Sequence, residues 1–195
     1  MPSLSFIPLG FSRFARSTGI YLALGSNLEH LGNPPQLLLQ RALALLNAGG
    51  DKLVAVSSIW QSNAWPPEAT TPQFFNAACQ IQPNDEDPAA LLERLHAIEA
   101  EFGRQRYPLN QWSARTLDLD LLDYNGLVTE NCSFLRLPHP RLHLRDFVLR
   151  PLLEIAPDWL HPQTGQLGRD LLLQLEVSGD LNDCHLVQTL DVSDL

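Results

Sequence analysis

In Arg115-Thr116-Leu117-Asp118-Leu119-Asp120-Leu121-Leu122, leucine and acid alternate, and that alternation points to a β-strand with one face in a core. Successive side chains of a strand leave on opposite faces, so Asp118 and Asp120 share a side, with Cα atoms ~7 Å apart. Leu117, Leu119 and Leu121 share the other side and need apolar partners. Two carboxylates at that spacing can converge on a hard cation such as Mg²⁺. Left ionised and unpaired beside a core they would be costly, so positive charge belongs between them, with Arg115 and a metal as the candidates. A bare D-x-D reads as an edge strand with a solvated acidic face; the residues around this one favour a binding site instead.

Composition narrows the classes. With 195 residues, 45% of them hydrophobic, the chain can bury the core of one domain. A net charge of −9 argues against nucleic acid or a membrane surface as partner, because both prefer a basic footprint. Seven of the thirteen Lys and Arg residues are arginines between Arg104 and Arg150, so a local cationic cluster sits in an acidic protein. That suits an anionic small molecule. Lys52 is the only lysine, and Gly49-Gly50-Asp51-Lys52-Leu53 does not supply a phosphate-loop pattern, so a nucleotide would be held by arginines and metal. Cys79, Cys132 and Cys184 are dispersed, without C-x-x-C spacing, and read as thiols of a reducing compartment, with the cytoplasm expected. No apolar run reaches transmembrane length.

The expected organisation is a disordered extension over 1–18, one domain over 19–175 and an acidic tail over 176–195. Residues 1–18 hold Arg13, Arg16 and no acids, so import into an organelle is the alternative reading of that segment. Within the domain, Ile20 to Leu24 reads as a strand ended by Gly25-Ser26-Asn27. A helix follows from Pro34 or Pro35 and stops at Gly49-Gly50. Leu53 to Gln61 and Phe74 to Ile81 read as an antiparallel strand pair. Asp87, Pro88 and Gly103 mark the cap, first turn and stop of a second helix. The Asp118 strand comes next. The order β-α-β-β-α-β predicts an α+β, ferredoxin-like sandwich. Leu127-Val128 with Leu135-Arg136-Leu137 reads as a small hairpin. Arg145 to Glu154 and Gly168 to Leu175 read as short helices.

Three features converge with the aspartates. The polar stretch from Gly103 to Arg115 carries Arg104, Arg106, Trp112 and Arg115; it is a solvated surface loop or a lid whose guanidinium forks suit phosphate. Pro138-His139-Pro140-Arg141-Leu142-His143-Leu144-Arg145-Asp146-Phe147 sets histidines and arginines between prolines and a phenylalanine. His139 is a turn or capping histidine, or a donor to phosphate. In Phe74-Phe75-Asn76, alternation sends Phe74 and Asn76 to one face. An aromatic plate beside an amide can stack on a flat heterocycle and read its edge, although core packing is the ordinary use of a phenylalanine. Asn76 is the anomaly, since an amide within an apolar strand needs partners.

The ordered set Leu24-Gly25-Ser26-Asn27-Leu28, Phe75-Asn76-Ala77-Ala78, Glu99 with Gly103-Arg104, Arg115 to Asp120, Pro138-His139-Pro140-Arg141, Arg145 to Leu149 and Pro151 to Pro157 resembles the 6-hydroxymethyl-7,8-dihydropterin pyrophosphokinase family. The resemblance spans roughly residues 19–160. It implies a ferredoxin-like fold and transfer of the β,γ-pyrophosphoryl unit of ATP to the pterin hydroxymethyl oxygen, releasing AMP, in folate biosynthesis. By the same resemblance Asp118 and Asp120 hold two Mg²⁺ ions, and Arg104 and Arg115 stabilise charge during transfer. Glu99, Arg106, Trp112, His139 and Arg145 match the ATP subsite, while Phe74, Asn76 and Phe147 match the pterin subsite. A monomer is expected, with ATP and pterin as its small-molecule partners.

The chain departs from the family pattern at several positions. Gln111 replaces a usual basic residue, Ser113-Ala114 a usual Gly-Pro, and Ser62 to Pro67 the usual Thr-x-Pro-x-Gly. Phe74 stands where tyrosine is common, which keeps stacking and removes a phenol hydrogen bond. Two other classes compete: a non-catalytic ATP-binding regulatory module and a Mg²⁺-dependent phosphohydrolase. Neither requires the aromatic slot formed by Phe74, Asn76 and Phe147.

Overall fold

The computed structural model describes residues 18–64, 71–104, 114–129 and 134–194. The strands are β1 (Ile20–Ser26), β2 (Lys52–Val56), β3 (Ile59–Ser62), β4 (Phe74–Gln82), β5 (Asp118–Tyr124) and β6 (His185–Gln188). The helices are α1 (Pro35–Ala48), α2 (Pro88–Glu101), α3 (Asp146–Ile155) and α4 (Gly168–Ser178). The sheet runs β5-β1-β4-β3-β6, with β2 also on β4, and every pairing is antiparallel.

The single strand expected over Leu53–Gln61 is broken at Ser57-Ser58. Both halves still pair with β4, because the Ser57 N–H donates to Ala78 O at 2.9 Å and Ser57 Oγ accepts from Ala78 N at 2.8 Å. Counting β2 and β3 as one bent strand gives the ferredoxin-like order 4-1-3-2. No helix of the described residues is long and apolar enough to cross a membrane.

Each face of the sheet has its own core. On one, Leu38, Leu39, Ala42, Leu43 and Leu46 of α1 and Leu91 and Leu95 of α2 meet Leu22, Leu24, Leu119 and Leu121. On the other, Val148, Leu149 and Leu152 of α3 and Leu171 and Leu175 of α4 meet Tyr21, Leu122 and Trp159. Alternation explains the split until Leu122, where the β1–β5 register shifts. The bulge turns Asp123 toward the second core, where it accepts from Trp159 Nε1 at 2.9 Å and Gly126 N at 2.9 Å. This third acid of β5 is therefore structural.

Two expectations are corrected. Leu127-Val128 and Leu135–Leu137 form no hairpin strands. Thr129 binds across to Leu137 through its backbone N–H and its Oγ1, and the cis Leu137-Pro138 bond follows at once. Proline has no N–H to extend a ladder. The segment 176–195 is also more than a tail: α4 continues to Ser178, where Gly179 takes a left-handed conformation, and β6 adds an exposed strand beside β3.

Candidate active site

Register builds the floor of the site. Trp60, Asn76, Gly25 and Asp118 stand in one row across β3, β4, β1 and β5, and Ala78, Ala23 and Asp120 form the next row. Gly25 lies in the site row, whereas in the next row Ala78 is fully buried and Ala23 packs against the second core. A Cβ on Gly25 would lie 3.6 Å from Asn76 Oδ1, 3.8 Å from Asp118 Cβ and 4.0 Å from Phe74 Cδ1. Those are ordinary contacts, so Gly25 is there for the space above it.

Asn76 is buried, and its Nδ2 donates to Ser62 Oγ at 3.0 Å, one of the partners that a buried amide requires. Phe74 shares its face, as expected, and Phe75 packs into the opposite core. The guanidinium of Arg115 lies 5.9 Å from the centroid of Phe74.

The acidic side is an alternating charge network. Asp118 accepts from Arg115 Nη1 at 2.6 Å through Oδ2 and from Arg104 through Oδ1. Arg104 also binds Glu99, whose buried Oε1 accepts from Leu119 N at 2.8 Å. Burial pushes the Asp118 carboxyl up, but the guanidiniums of Arg115 and Arg104 outweigh it and hold the group below the usual carboxylate range.

The end of α2 delivers Arg104. Arg104 N donates to Glu99 O at 3.1 Å and Gly103 N to Ala100 O at 3.0 Å, the two bonds of a Schellman motif. Gly103 has φ +73°, the left-handed region that favours glycine, and a Cβ there would come 2.6 Å from the tip of the His30 ring, which would have to shift.

Asp120 is held more loosely. Its Oδ2 lies 3.7 Å from Arg145 Nη1 and 3.8 Å from His139 Nε2, beyond hydrogen-bond reach, and its side chain is 32% exposed. Arg145 caps α3 and is mostly buried, with its guanidinium 5.6 Å from the centroid of Phe147. Burial lowers the affinity of His139 for a proton, with Arg145 and Arg141 adding to the effect and Asp120 opposing it.

Arg104, Arg115, Asp118, Asp120, Glu99, His139 and Arg145 therefore form one connected cluster, with Phe74 and Asn76 beside it and Phe147 beside Arg145. Arg106 and Trp112 lie outside the described residues. Glu99 has no exposed surface and accepts from Arg104.

Sequence reasoning assigned no role to Ser26, Asn27, Ser62 or Glu154. Ser26 Oγ donates to Thr116 O at 2.6 Å. Asn27 Oδ1 accepts from Arg115 N at 2.7 Å while its Nδ2 donates to Pro72 O at 3.2 Å. One amide thus spaces the Arg115 backbone from the segment leading to Phe74. Glu154 accepts from Ser58 N, Ser58 Oγ and Trp60 Nε1 at 3.0, 2.7 and 2.8 Å, which fastens α3 across the strand break. Ser26, Asn27 and Ser62 are buried polar residues, which is the signal that could have found them, whereas Glu154 is exposed and carried none.

A ferredoxin-like sheet that presents two acids among arginines beside an aromatic and an amide side chain is suited to handling phosphate groups. The model of the 7,8-dihydro-6-hydroxymethylpterin-pyrophosphokinase (HPPK) family matches residues 21–157, and the chain belongs to that family. It is 38% identical over 159 residues to 2-amino-4-hydroxy-6-hydroxymethyldihydropteridine pyrophosphokinase of Synechocystis sp., covering 81% of this chain and 76% of the relative. The protein of the same name from Haemophilus influenzae is 40% identical over 155 residues, covering 79% of this chain and 91% of the relative. Among solved structures, wild-type HPPK-DHPS of Plasmodium falciparum superposes with a TM-score of 0.63 at 14% identity. That match covers 87% of this chain and spans 44% of the longer protein, and it speaks to the fold alone.

Proposed function

We propose that this protein transfers the pyrophosphoryl unit of ATP to the hydroxymethyl oxygen of 6-hydroxymethyl-7,8-dihydropterin, releasing AMP, as a step of folate biosynthesis. The observation that carries the reading is the shared row: Asn76, Gly25 and Asp118 stand side by side, so the amide-and-aromatic face adjoins the phosphate-handling cluster. Phe74 and Phe147 are the stacking groups for the pterin, and Asn76 reads its edge. Trp60, in the same row, is turned to Glu154 and supports the wall.

The donor set fits a hard divalent cation. Among the described residues no group of three or more His, Cys, Asp or Glu could cage an ion. That agrees with Mg²⁺, which binds through one or two carboxylates together with substrate phosphates. Asp120 and Asp118 are the protein ligands in this reading, and two ions are expected. Bound there, the metal neutralises phosphate charge and aligns the groups in line for displacement.

Arg104 and Arg115, held at this end of the site by Asp118, are the cationic groups that would meet the phosphates. Glu99 and the Schellman turn keep Arg104 within reach. His139, largely neutral, and Arg145 bind outer phosphate oxygens, and Arg106 and Trp112 complete the ATP subsite.

Two results follow for the pterin subsite. Phe147→Ala raises the pterin KM by about ten- to a hundredfold while ATP binding stays near normal, because only one stacking face is lost; titration of each substrate separately reads this, and the reverse pattern refutes the sandwich. Gly25→Leu folds with a near-native melting temperature and loses activity by about a hundredfold or more, because the side chain fills the pterin subsite. Normal turnover in that variant would place the pterin elsewhere. The reaction itself is tested by mass spectrometry of the pterin product. Gain of two phosphoryl groups supports it, and gain of one would make the protein a simple kinase.

A further inference from the structure

Asn182 lies beyond the family match, in the turn between α4 and β6, yet it is buried and makes three bonds that join the two sides of the proposed pterin subsite. Its backbone N–H and its Nδ2 donate to Asp146 at 3.2 and 2.8 Å, one bond to each carboxylate oxygen. Its carbonyl oxygen accepts from Asn63 N at 2.8 Å. Asp146 is the fully buried first residue of α3, between Arg145 and Phe147. Asn63 directly follows Ser62, the acceptor for Asn76. A continuous path therefore runs Phe147, Asp146, Asn182, Asn63, Ser62, Asn76.

We propose that Asn182 is a positioning residue for the pterin subsite, acting through Asp146 on Phe147 and through Asn63 on Asn76. The inference rests on the pterin reading of that subsite. Asp146 has given up its water, and a buried carboxylate is stable only when hydrogen bonds replace that water. Arg150 Nε, at 3.8 Å, is too distant to replace either bond from Asn182. Without the amide, the first turn of α3 moves to recover a partner, and Phe147 moves with it. Both bonds from Asn182 to α3 end on Asp146, and Phe147 directly follows it, so the pterin side is disturbed most. The strand β6 continues directly from this turn and pairs with β3, which holds Asn182 in register between the two sides.

The test is a reciprocal exchange read as separate KM values for pterin and ATP. Asn182→Ala raises the pterin KM about tenfold and the ATP KM less than about threefold. Asn182→Asp is worse, because two carboxylates then face each other. Asp146→Asn combined with Asn182→Asp restores the pterin KM to within about threefold of wild type, because the amide now donates from α3 and its oxygen still accepts the backbone N–H. Unchanged pterin KM in Asn182→Ala overturns the proposal, and so do equal rises for both substrates. If the single variants fail to fold, the exchange still decides: recovery of fold and pterin KM supports the pair, and recovery of fold without the KM overturns it. Pterin-dependent AMP release by the wild type is measured first. Its absence defeats the reaction reading and this inference together, whereas its presence with an indifferent Asn182 defeats this inference alone.

Discussion

Asp120→Ala is expected to reduce pterin-dependent AMP release by about a thousandfold or more while the protein keeps its fold. The carboxylate is a third exposed and sits 3.7 Å from Arg145 and 3.8 Å from His139, so little native structure depends on it. What it supplies is a hard oxygen on the phosphate-facing side of β5, and no described acid stands in for it. Asp123 is turned away by the bulge and engaged by Trp159. Asp118→Ala would also stop turnover, but it strips the shared carboxylate from the largely buried Arg104 and Arg115, so lost activity and lost stability would be confounded. Asp120 is the cleaner probe. Rate constants at saturating ATP and pterin, with Mg²⁺ titrated and melting temperature followed in parallel, read the effect. Near-normal turnover in a folded Asp120→Ala protein would remove the metal assignment.

Arg115→Ala should lower kcat by about a thousandfold and weaken ATP binding by less than about tenfold. The structure separates the two roles of this residue. Its backbone is held by Asn27 and Leu28, through Asn27 Oδ1 to its N–H and through two N–H groups to its carbonyl oxygen, and none of these bonds needs the side chain. The side chain reaches the reacting end of the site, at Asp118 and over Phe74. Asp118 keeps Arg104 in the variant, so the carboxylate is not left uncompensated. In the proposed reading, truncation thus removes a charge near the transferring group while the backbone bonds of Arg115 to Asn27 and Leu28 remain. Equal losses in binding and in rate would reduce Arg115 to an ordinary phosphate ligand.

Much of this architecture was legible in the chain because local rules and tertiary demands agree. Asp87 caps α2 through Ala89 N as its position suggests, and Gly103 stops that helix. Period-two alternation placed Asp118 with Asp120 and Phe74 with Asn76. What escaped the sequence depended on partners distant along the chain. The break at Ser57-Ser58 is stabilised by Glu154, ninety-six residues away, and periodicity carries no trace of that bond. The bulge at Leu122 flips Asp123 without any glycine or proline to announce it. β6 is short and exposed at all four positions, so it has no hydrophobic alternation to betray it, and its segment read as a tail. The role of Asn182 depends on that strand and was hidden with it. In the site, charged residues were visible as a cluster, whereas Gly25 in the same row was not, because a small residue in a strand carries no signal until its neighbours are known.

In the proposed reading the aromatic-and-amide face and the charge cluster serve one reaction. The most direct test is the rate of AMP release from ATP and Mg²⁺, measured with and without 6-hydroxymethyl-7,8-dihydropterin. The expected result is AMP formation that requires the pterin, saturates with it, and matches modified pterin mole for mole. Phosphate or pyrophosphate released at the same rate without pterin would contradict it and make the protein a hydrolase.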